Sequence, residues 1–277
     1  LAPGGGLTLT GALAVDGGTV KLDGNYPTGT NNVALGDTAL DSVEAGGVGN
    51  VAIGSAAGTA ITSGDNNVAV GLNALLSNTT ASQNTAVGHF ALNANTTGNC
   101  NTAVGASAGG AITTGTQNVA VGYNAGGAIT TGTKNVAMGF QALDAAITGQ
   151  ENTALGHQTL SSDTKGQRNV AVGHGALTTQ NFTSATNSNN TAVGYNAGNV
   201  LTTAQNNTLI GALSGDAITT GASNTAVGRG SLGGNTTGAN NVAVGDLSLV
   251  ANTTGCQNVA VGTSALTANT DAFKNVA

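Results

Sequence analysis

Asn118-Val119-Ala120-Val121-Gly122 is the stretch that decides the fold, because close copies of it recur along the whole chain. Each copy reads Asn, Val or Thr, usually Ala, then an aliphatic residue or Met, and Gly, and fifteen repeats begin in this way. Twelve of the intervals between the leading asparagines are 17 residues, one is 18 and one is 21. A period held this strictly predicts stacked structural repeats. The leading asparagines are Asn32, Asn50, Asn67, Asn84, Asn101, Asn118, Asn135, Asn152, Asn169, Asn190, Asn207, Asn224, Asn241, Asn258 and Asn275.

Alternation inside the motif predicts a short strand in every repeat. With the asparagine as position 0, positions 1 and 3 share one face of an extended strand and positions 0, 2 and 4 share the other. Positions 1 and 3 are rich in β-branched residues, which favour strands, and the glycine at position 4 ends the strand. The sequence therefore predicts an all-β, parallel β-solenoid (a β-roll) of about 15 coils over residues 32–277.

The dimensions of one coil follow from the 17-residue period. At about 3.3 Å per residue, its perimeter is at most ~56 Å, which fits two or three short strands per coil, with successive coils ~4.8 Å apart. Residues 1–31 lack the motif, but apolar residues between Leu7 and Leu22 alternate with glycine breaks. That pattern predicts an N-terminal segment of short strands and turns.

Positions 8 and 11 compensate for each other. Where position 8 is Gly, as at Gly126, position 11 is a large aliphatic residue such as Ile129. Where position 8 is Leu, as at Leu75, position 11 is usually polar or small, as at Asn78, although the pair Leu40 and Val43 is an exception. We expect one interior space per coil, filled from either position, because two large side chains would overpack it and none would leave a cavity.

The asparagine and alanine columns predict close packing along the stack. Stacked asparagines form amide ladders in cross-β structures, so we expect a hydrogen-bonded ladder at position 0. Position 2 is Ala in fourteen of fifteen repeats, with Leu209 as the exception. This uniformity indicates a close neighbour, which is either another wall of the same coil or a second subunit.

Position 5 is the most variable position of the repeat, which indicates exposure. Five consecutive repeats nevertheless carry an aromatic or imidazole ring there: Tyr123, Phe140, His157, His174 and Tyr195. One interpretation is packing between subunits or stacking along the rod. The other is a stripe that binds sugars or a receptor, since aligned flat rings suit stacking on ligands.

Composition excludes several classes of function. The net charge is −6 and no basic patch is present, so we expect no nucleic-acid partner. No apolar run approaches 18 residues, so we predict that this segment does not insert into a membrane. Acidic residues are scattered, His157 and His174 lack further ligands, and no catalytic or phosphate-binding motif occurs. We therefore expect no enzyme activity, no cofactor and no metal.

Two further features concern the surface of the rod. Thr-Thr-Gly at positions 12 to 14 is a sequence typical of turns. Because its threonines recur in columns, an alternative is a monomeric solenoid that binds ice or another regular surface. The four extra residues between Asn169 and Asn190 are expected to form a surface loop within 178–189. Cys100 and Cys256 lie far apart in a stacked arrangement and should not pair within one chain.

The tandem repeats NTAVGYNAG and NVAVGYNAG, with TTG and NN spacers, resemble two families. They resemble the repeats of bacterial and phage tail-fibre-type proteins, and they are similar to the head repeats of trimeric autotransporter adhesins, whose motif is NxVAIGxxA. The resemblance covers Asn32 to Ala277 and implies a trimeric β-roll displayed on a cell surface or virion. It also implies a β-prism-like structure for the segment around Leu7 to Leu22.

The sequence and the resemblance together predict a homotrimeric extracellular fibre segment with a spacing and adhesive role, whose ligand would be a host surface or a glycan. Two alternatives stay open. One is the monomeric ice-binding solenoid, and the other is an extracellular filament made by end-to-end self-association of coils with open strand edges.

Overall fold

The structure is a computed structural model, and it describes residues 30–44 and 46–277. The expectation of a β-prism-like segment at residues 1–31 therefore lies, except for its last two residues, outside the described part of the chain.

The repeats form one parallel sheet of fourteen three-residue strands in sequence order, joined in register with one strand from each repeat. The parallel β-solenoid with a 17-residue repeat is confirmed, and the described residues contain no helix. Fourteen strands define thirteen complete turns, and the repeat at Asn275 adds only a parallel bridge between Val259 and Val276. The strands are β1 (Val33–Leu35), β2 (Val51–Ile53), β3 (Val68–Val70), β4 (Thr85–Val87), β5 (Thr102–Val104), β6 (Val119–Val121), β7 (Val136–Met138), β8 (Thr153–Leu155), β9 (Gly166–Gln167), β10 (Val170–Val172), β11 (Thr186–Asn187), β12 (Thr191–Val193), β13 (Thr208–Ile210), β14 (Thr225–Val227), β15 (Val242–Val244) and β16 (Val259–Val261).

Each coil contains one strand of the main sheet, and among the described residues the coils that begin at Asn152 and Asn169 add a second, two-residue strand (β9 and β11). The expectation of two or three strands per coil is therefore wrong for the other coils. The reason is the backbone at positions 6, 8 and 16, which is left-handed in coil after coil, as at Asn124 (φ 53°), Leu143 (φ 53°) and Lys134 (φ 57°). A left-handed residue breaks the extended path of a strand. The remaining walls are stacked turns, held to the next coil by backbone hydrogen bonds such as that from the Leu75 N–H to the Ala91 carbonyl (3.0 Å).

The glycine at position 4 turns the chain out of every strand of the main sheet. At Gly122 φ is +126°, and a Cβ built there would lie 2.6 Å from the carbonyl oxygen of Gly139 in the next coil. The same contact recurs along this column, for example between Gly194 and the Gly211 carbonyl oxygen at 2.4 Å. Both the backbone conformation and the close approach of the next coil therefore require glycine.

The interior of the rod is built from the chain itself. The alanines at position 2, such as Ala120, and those at position 7, such as Ala125, are buried in one continuous apolar core. Of the two sources considered for the alanine column, the structure shows packing within the chain. The face with positions 0 and 2 points inward, and the face with positions 1 and 3 points outward.

In most coils one large aliphatic side chain fills the interior, as the compensation between positions 8 and 11 predicted. The coil that begins at Asn32 buries both Leu40 and Val43. Leu75, Leu92, Ile112 and Ile129 are all fully buried in successive coils, whether they come from position 8 or position 11. A Cβ added at Gly109 would lie 3.0 Å from both Ile112 Cδ1 and Leu92 Cδ2. The space is thus already full when position 11 supplies the side chain.

Leu209, the exception in the alanine column, occupies space released by two glycines. A Cβ at Gly198 would lie 2.7 Å from Leu209 Cδ1, and one at Gly215 would lie 2.8 Å from Leu209 Cδ2. Its own coil and the preceding coil both carry glycine at position 8, so the larger residue at position 2 fits without overpacking.

Candidate functional site

The asparagines at position 0 form a continuous hydrogen-bonded column inside the rod. The Oδ1 of Asn118 accepts from the backbone N–H (3.0 Å) and the Nδ2 (3.1 Å) of Asn135. The Nδ2 of Asn118 also donates to the Gly132 carbonyl across its own coil, at 2.9 Å. Each asparagine thus holds the start of the next strand and closes its own coil, which gives the ladder a structural role. The hydrogen bond from the backbone N–H to the preceding Oδ1 recurs at every step from Asn32 to Asn275.

A second internal amide ladder occupies position 11, where the sequence indicated only polar or small residues. Asn252 Nδ2 donates to Asn235 Oδ1 and Asn269 Nδ2 donates to Asn252 Oδ1, each at 2.9 Å, while Asn95 donates to Asn78 at 3.3 Å. All but the half-buried Asn269 are buried. The signal was the frequent pairing of Asn at position 11 with Leu at position 8, which shows that this position faces inward whatever its polarity.

Asp163 replaces asparagine at position 11 and is a buried acid. Its carboxylate accepts hydrogen bonds from Gln180 Nε2 (2.6 Å), the Gly166 N–H (3.0 Å) and the Phe182 N–H (3.2 Å). Burial raises the pKa of Asp163, and these hydrogen bonds oppose the rise in pKa. Gln180 Oε1 in turn accepts from Asn190 Nδ2 at 2.9 Å, so the acid belongs to a structural network.

The four extra residues lie next to this network and make a partly exposed loop, as expected for the interval between Asn169 and Asn190. Residues 183–185 and Asn187 are exposed, and Thr186–Asn187 pairs with Gly166–Gln167 as the two-stranded sheet of β11 and β9. Phe182, in contrast, is buried and lies beside Asp163. The loop is therefore anchored by one aromatic side chain, a detail that its sequence did not indicate.

An apolar stripe runs along the outside of the sheet. It consists of the aliphatic residues at position 3 and the Val or Thr residues at position 1, and we call it the outer stripe. Position 3 is exposed in seven coils, including Met138 (37%) and Leu155 (39%), and is half-buried in the others. Since strands are in register, these side chains form one uninterrupted row. Its members at position 3 are Leu35, Ile53, Val70, Val87, Val104, Val121, Met138, Leu155, Val172, Val193, Ile210, Val227, Val244 and Val261.

The five rings at position 5 stack on one another along one edge of the outer stripe. Successive ring centroids, from Tyr123 through Phe140, His157 and His174 to Tyr195, lie 5.4, 5.1, 4.9 and 5.6 Å apart. The angles between neighbouring ring planes are 18°, 11°, 6° and 25°. All five side chains are exposed, yet the faces of the inner three rings are covered by their neighbours, so their edges point outward. We call this row the ring stack.

This geometry gives the ring stack limited chemistry of its own. His157 and His174 stack face to face, and the described residues contain no group of three or more His, Cys, Asp or Glu side chains placed to hold a metal ion. The flat faces expected to meet a ligand are largely used within the stack. Only Tyr123 and Tyr195, at its two ends, have a face that no other ring covers in the described structure.

Exposed ionic pairs accompany the outer stripe. Position 16, on the other edge of the strand, carries Lys134, Glu151 and Arg168 in successive coils, with Arg168 Nε 3.0 Å and Lys134 Nζ 3.9 Å from the Glu151 carboxylate. In the position-5 column, Arg229 forms a paired contact with Asp246: Nη2 donates a hydrogen bond to Oδ2 (3.0 Å), and Nε lies 2.9 Å from Oδ1 in the same ion pair. Both sets join neighbouring coils along the rod.

The threonine columns are divided between structure and surface. At position 12 the hydroxyls donate along the stack to backbone carbonyls, as Thr79 does to Thr96 (3.2 Å) and Thr96 does to Thr113 (3.1 Å). At position 13 the side chains, such as Thr114 and Thr131, are exposed. One exposed threonine column is therefore present, and the neighbouring hydroxyls are engaged with the backbone.

The remaining chemistry-bearing groups stand apart from one another. Burial raises the pKa of Asp144 and of Asp216, as it does for Asp163, but the three acids lie in different coils. Cys100 and Cys256 are both free, as the sequence predicted. None of the described residues belongs to a helix long and apolar enough to span a bilayer.

Comparison with protein-family models gives no match for this sequence, and comparison with curated proteins gives no significant match.

Proposed function

We propose that this chain is a structural segment of an extracellular fibre, on a cell surface or a virion, that spaces and attaches as a homotrimer and performs no catalysis. The observation that carries the proposal is the outer stripe, an apolar face that runs the whole length of the sheet. The extracellular location rests on the resemblance of the tandem repeats to tail-fibre-type proteins and to the heads of trimeric adhesins.

The size of the outer stripe supports lateral association of copies. Fourteen strands about 4.8 Å apart, each about 10 Å long, give a face of roughly 600 Å² per chain. Position 1 is Thr in six coils, so the apolar part of this face is smaller than its full area, and it falls in the range of the largest apolar patches on monomeric proteins, which are often functional. A standard interface buries about 800 Å² per partner, so this face together with its polar edges suffices for a stable assembly.

The way in which the chain uses its polar groups supports a scaffold role. The asparagine ladders, the threonines at position 12 and the Asp163 network all use their polar atoms to hold coils together. Active sites, in contrast, gather titratable groups with perturbed pKa values in one cleft. Here the acids with raised pKa values lie in different coils, and the most buried of them, Asp163, is hydrogen-bonded to Gln180 of the next coil.

The attachment role rests on the ring stack and its surroundings. Exposed aromatic side chains are enriched where proteins bind ligands and partners. The stack presents its edges on five neighbouring coils, next to a stripe that three copies would cover. A fibre with this surface would keep a row of rings beside the interface between subunits.

Mass measurement by sedimentation equilibrium tests the assembly. The wild-type chain should have three times the mass of the 26.4 kDa monomer. A variant with both Met138→Lys and Leu155→Lys should dissociate, because two buried charges in each copy would oppose the interface. The matched control is Thr114→Lys with Thr131→Lys, which places the same charges on the exposed column at position 13 and should stay trimeric.

The remaining outcomes decide between the alternatives. A wild-type monomer contradicts the trimer, and thermal hysteresis from that monomer would favour the ice-binding solenoid. Long unbranched polymers would favour the filament formed by self-association. Equal dissociation of both double variants would show that the interface is not the outer stripe.

A further inference from the structure

The ring stack ends at Tyr195 with one ring face that no other ring covers in the described structure. In the position-5 column the next residue is Ala212, half-buried, and the one after it is Arg229. Over three successive coils the column therefore carries the ring of Tyr195, the methyl group of Ala212 and the guanidinium of Arg229. We call the space over Ala212, between Tyr195 and Arg229, the ring slot.

The height of the ring slot fits one further ring. Rings one coil apart in this column have centroids 4.9 to 5.6 Å apart, so residues two coils apart leave about 10 Å between them. A flat ring placed midway would lie about 5 Å from Tyr195, within the range at which stacked rings attract each other. The side chain of Ala212, at the intermediate coil, is a single methyl group, so it does not supply a ring at that height of the column.

Arg229 gives the far wall of the ring slot hydrogen-bond donors. Its Nε and Nη2 both face Asp246, in the coil beyond, through the paired contact described above. Because the guanidinium is planar and rigid, Nη1 lies on the side opposite to the edge that faces Asp246, and Ala212 is in the coil on that side of Arg229. In the described structure no protein group accepts a hydrogen bond from Nη1, so its two N–H groups are available to an oxygen atom in the slot.

The side of the ring slot is apolar. Leu213, which follows Ala212, is 37% exposed. In the coils that carry rings, the corresponding residues are polar or glycine: Asn124, Gln141, Gln158, Gly175 and Asn196. The ring slot thus has the aromatic face of Tyr195 at one end and the apolar side chains of Ala212 and Leu213 along it. At the other end are the two Nη1–H donors of Arg229, whose guanidinium is positioned by its ion pair with Asp246.

We propose that the ring slot binds one pyranose ring of a glycan, stacked on Tyr195, with a ring substituent accepting hydrogen bonds from Arg229 Nη1. Pyranose rings combine an apolar face with oxygen atoms at the rim, which is the pattern that the slot complements. The accepting oxygen belongs to a hydroxyl group in a neutral glycan or to a carboxylate in an acidic one. This site deepens the attachment role proposed above, and it rests on that role for its biological meaning.

The other end of the ring stack provides a natural control. There Ala106 lies between Tyr123 and His89, so a ring is again missing from the column. His89 packs edge to face against its neighbour Phe90, with centroids 4.2 Å apart and planes at 69°. This end offers no charged donor pair comparable to Arg229 and Asp246, and we expect no glycan binding there.

Saturation-transfer NMR and calorimetry with two hexasaccharides test the ring slot. The neutral probe is cellohexaose and the acidic probe is a hexamer of galacturonic acid. Ala212→Phe should fill the slot with a ring and reduce affinity at least tenfold, while Ala106→Phe adds the same ring at the other end and should leave affinity unchanged. Arg229→Gln should weaken binding at least threefold, and Tyr195→Phe should retain it.

Each result has a defined meaning. Binding of both probes assigns the hydroxyl contact, and binding of the acidic probe alone assigns the carboxylate contact. Failure of the wild-type chain to bind either probe would overturn the proposal, as would equal loss in Ala212→Phe and Ala106→Phe. The variants do not touch the outer stripe, so their mass by sedimentation shows separately whether the assembly is intact.

Discussion

Positions 2 and 5 lie three residues apart in every coil, yet they accept very different side chains. Position 2 is Ala in fourteen of fifteen repeats, whereas position 5 carries nine kinds of residue in fourteen repeats. The alanines are buried against the same chain, and the position-5 side chains project from the rod. The inward columns keep the same residue because each coil packs directly against the next one. The outward side chains do not pack in the interior, so they can differ from coil to coil.

This contrast predicts that damage to an inward column outweighs damage to an outward one, with the largest effect at position 4. Gly122→Ala should cost more than about 4 kcal/mol, because it strains a backbone with φ +126° and brings a Cβ 2.6 Å from a carbonyl oxygen of the next coil. Chemical denaturation followed by circular dichroism would measure the loss.

Gly126→Ala, in the same coil, separates the two causes. Its φ is +58°, but the nearest atom to a Cβ built there is Ile129 Cδ1, at 3.0 Å, so the added methyl group meets a side chain and not the backbone of the next coil. We expect it to cost about 1–3 kcal/mol. Equal losses in the two variants would show that contact with the backbone of the next coil adds nothing, which would contradict the reason given for the glycine column.

The second prediction converts one kind of interior coil into the other. Leu143→Gly should cost about 2–5 kcal/mol for the cavity, less about 1 kcal/mol of left-handed strain released at φ 53°. Ala146→Ile alone should overpack the space by about 1–3 kcal/mol. The double variant has the same pair of residues as the neighbouring coil, which carries Gly126 and Ile129. Its free energy of unfolding should be close to that of the wild type.

A double-mutant cycle on these four proteins measures the coupling. Because the two sites share one space, we expect an interaction free energy about as large as the sum of the two single losses, which is about 2 kcal/mol or more. Additive losses would mean that Leu143 and Ala146 occupy separate spaces and that the compensation in the sequence has another cause.

Repetition explains which features of the fold the sequence could predict. The strands, their register and the shared interior space follow from residues that recur every 17 positions, as at Asn118 and Gly122. A position that is repeated many times shows the same residue preference many times, so its burial can be inferred from the sequence. The sequence could not predict the single strand per coil, because Leu143 and the other leucines at position 8 adopt left-handed backbone that leucine rarely shows.

Single features were harder to predict for the same reason. The burial of Phe182 and the Asp163 network occur once, next to the one interval of 21 residues, so no second copy indicates their environment. The ring stack was visible as five successive rings, but stacking on one another and stacking on a ligand give the same sequence pattern. Only the distances between ring centroids distinguish the two.

Asp163 is a place where the interior column departs from its pattern, and pH should reveal it. Burial raises the pKa of Asp163 above the ordinary value of an aspartic acid side chain, 3.8, so the neutral form is favoured in the folded chain. The stabilisation is fully present below pH 3.8 and is lost as the pH rises through the raised pKa. Melting temperature measured across this range should therefore fall with increasing pH more steeply than in Asp163→Asn.

The Asp163→Asn variant removes the titrating group and keeps the oxygen that accepts from the Gly166 and Phe182 N–H groups. Since Asp144 and Asp216 also have pKa values raised by burial, the variant retains part of the pH dependence. The informative quantity is the difference between the two profiles, and parallel profiles would show that Asp163 does not titrate in this window.

The smallest effect is expected in the outward column, where Phe140→Ala removes the second ring of the stack. Phe140 contacts Tyr123 and His157 at 5.4 and 5.1 Å but is 44% exposed, so we expect a loss of about 1 kcal/mol or less. Phe140→Tyr keeps the ring and should be neutral. The His157 ring protons should shift in NMR spectra only in the alanine variant, because they lose a neighbouring ring current. A loss in Phe140→Ala as large as in Gly122→Ala would mean that the ring stack helps to hold the coils together. Inward columns would then not be the only ones that stabilise the rod, which would contradict the contrast between positions 2 and 5.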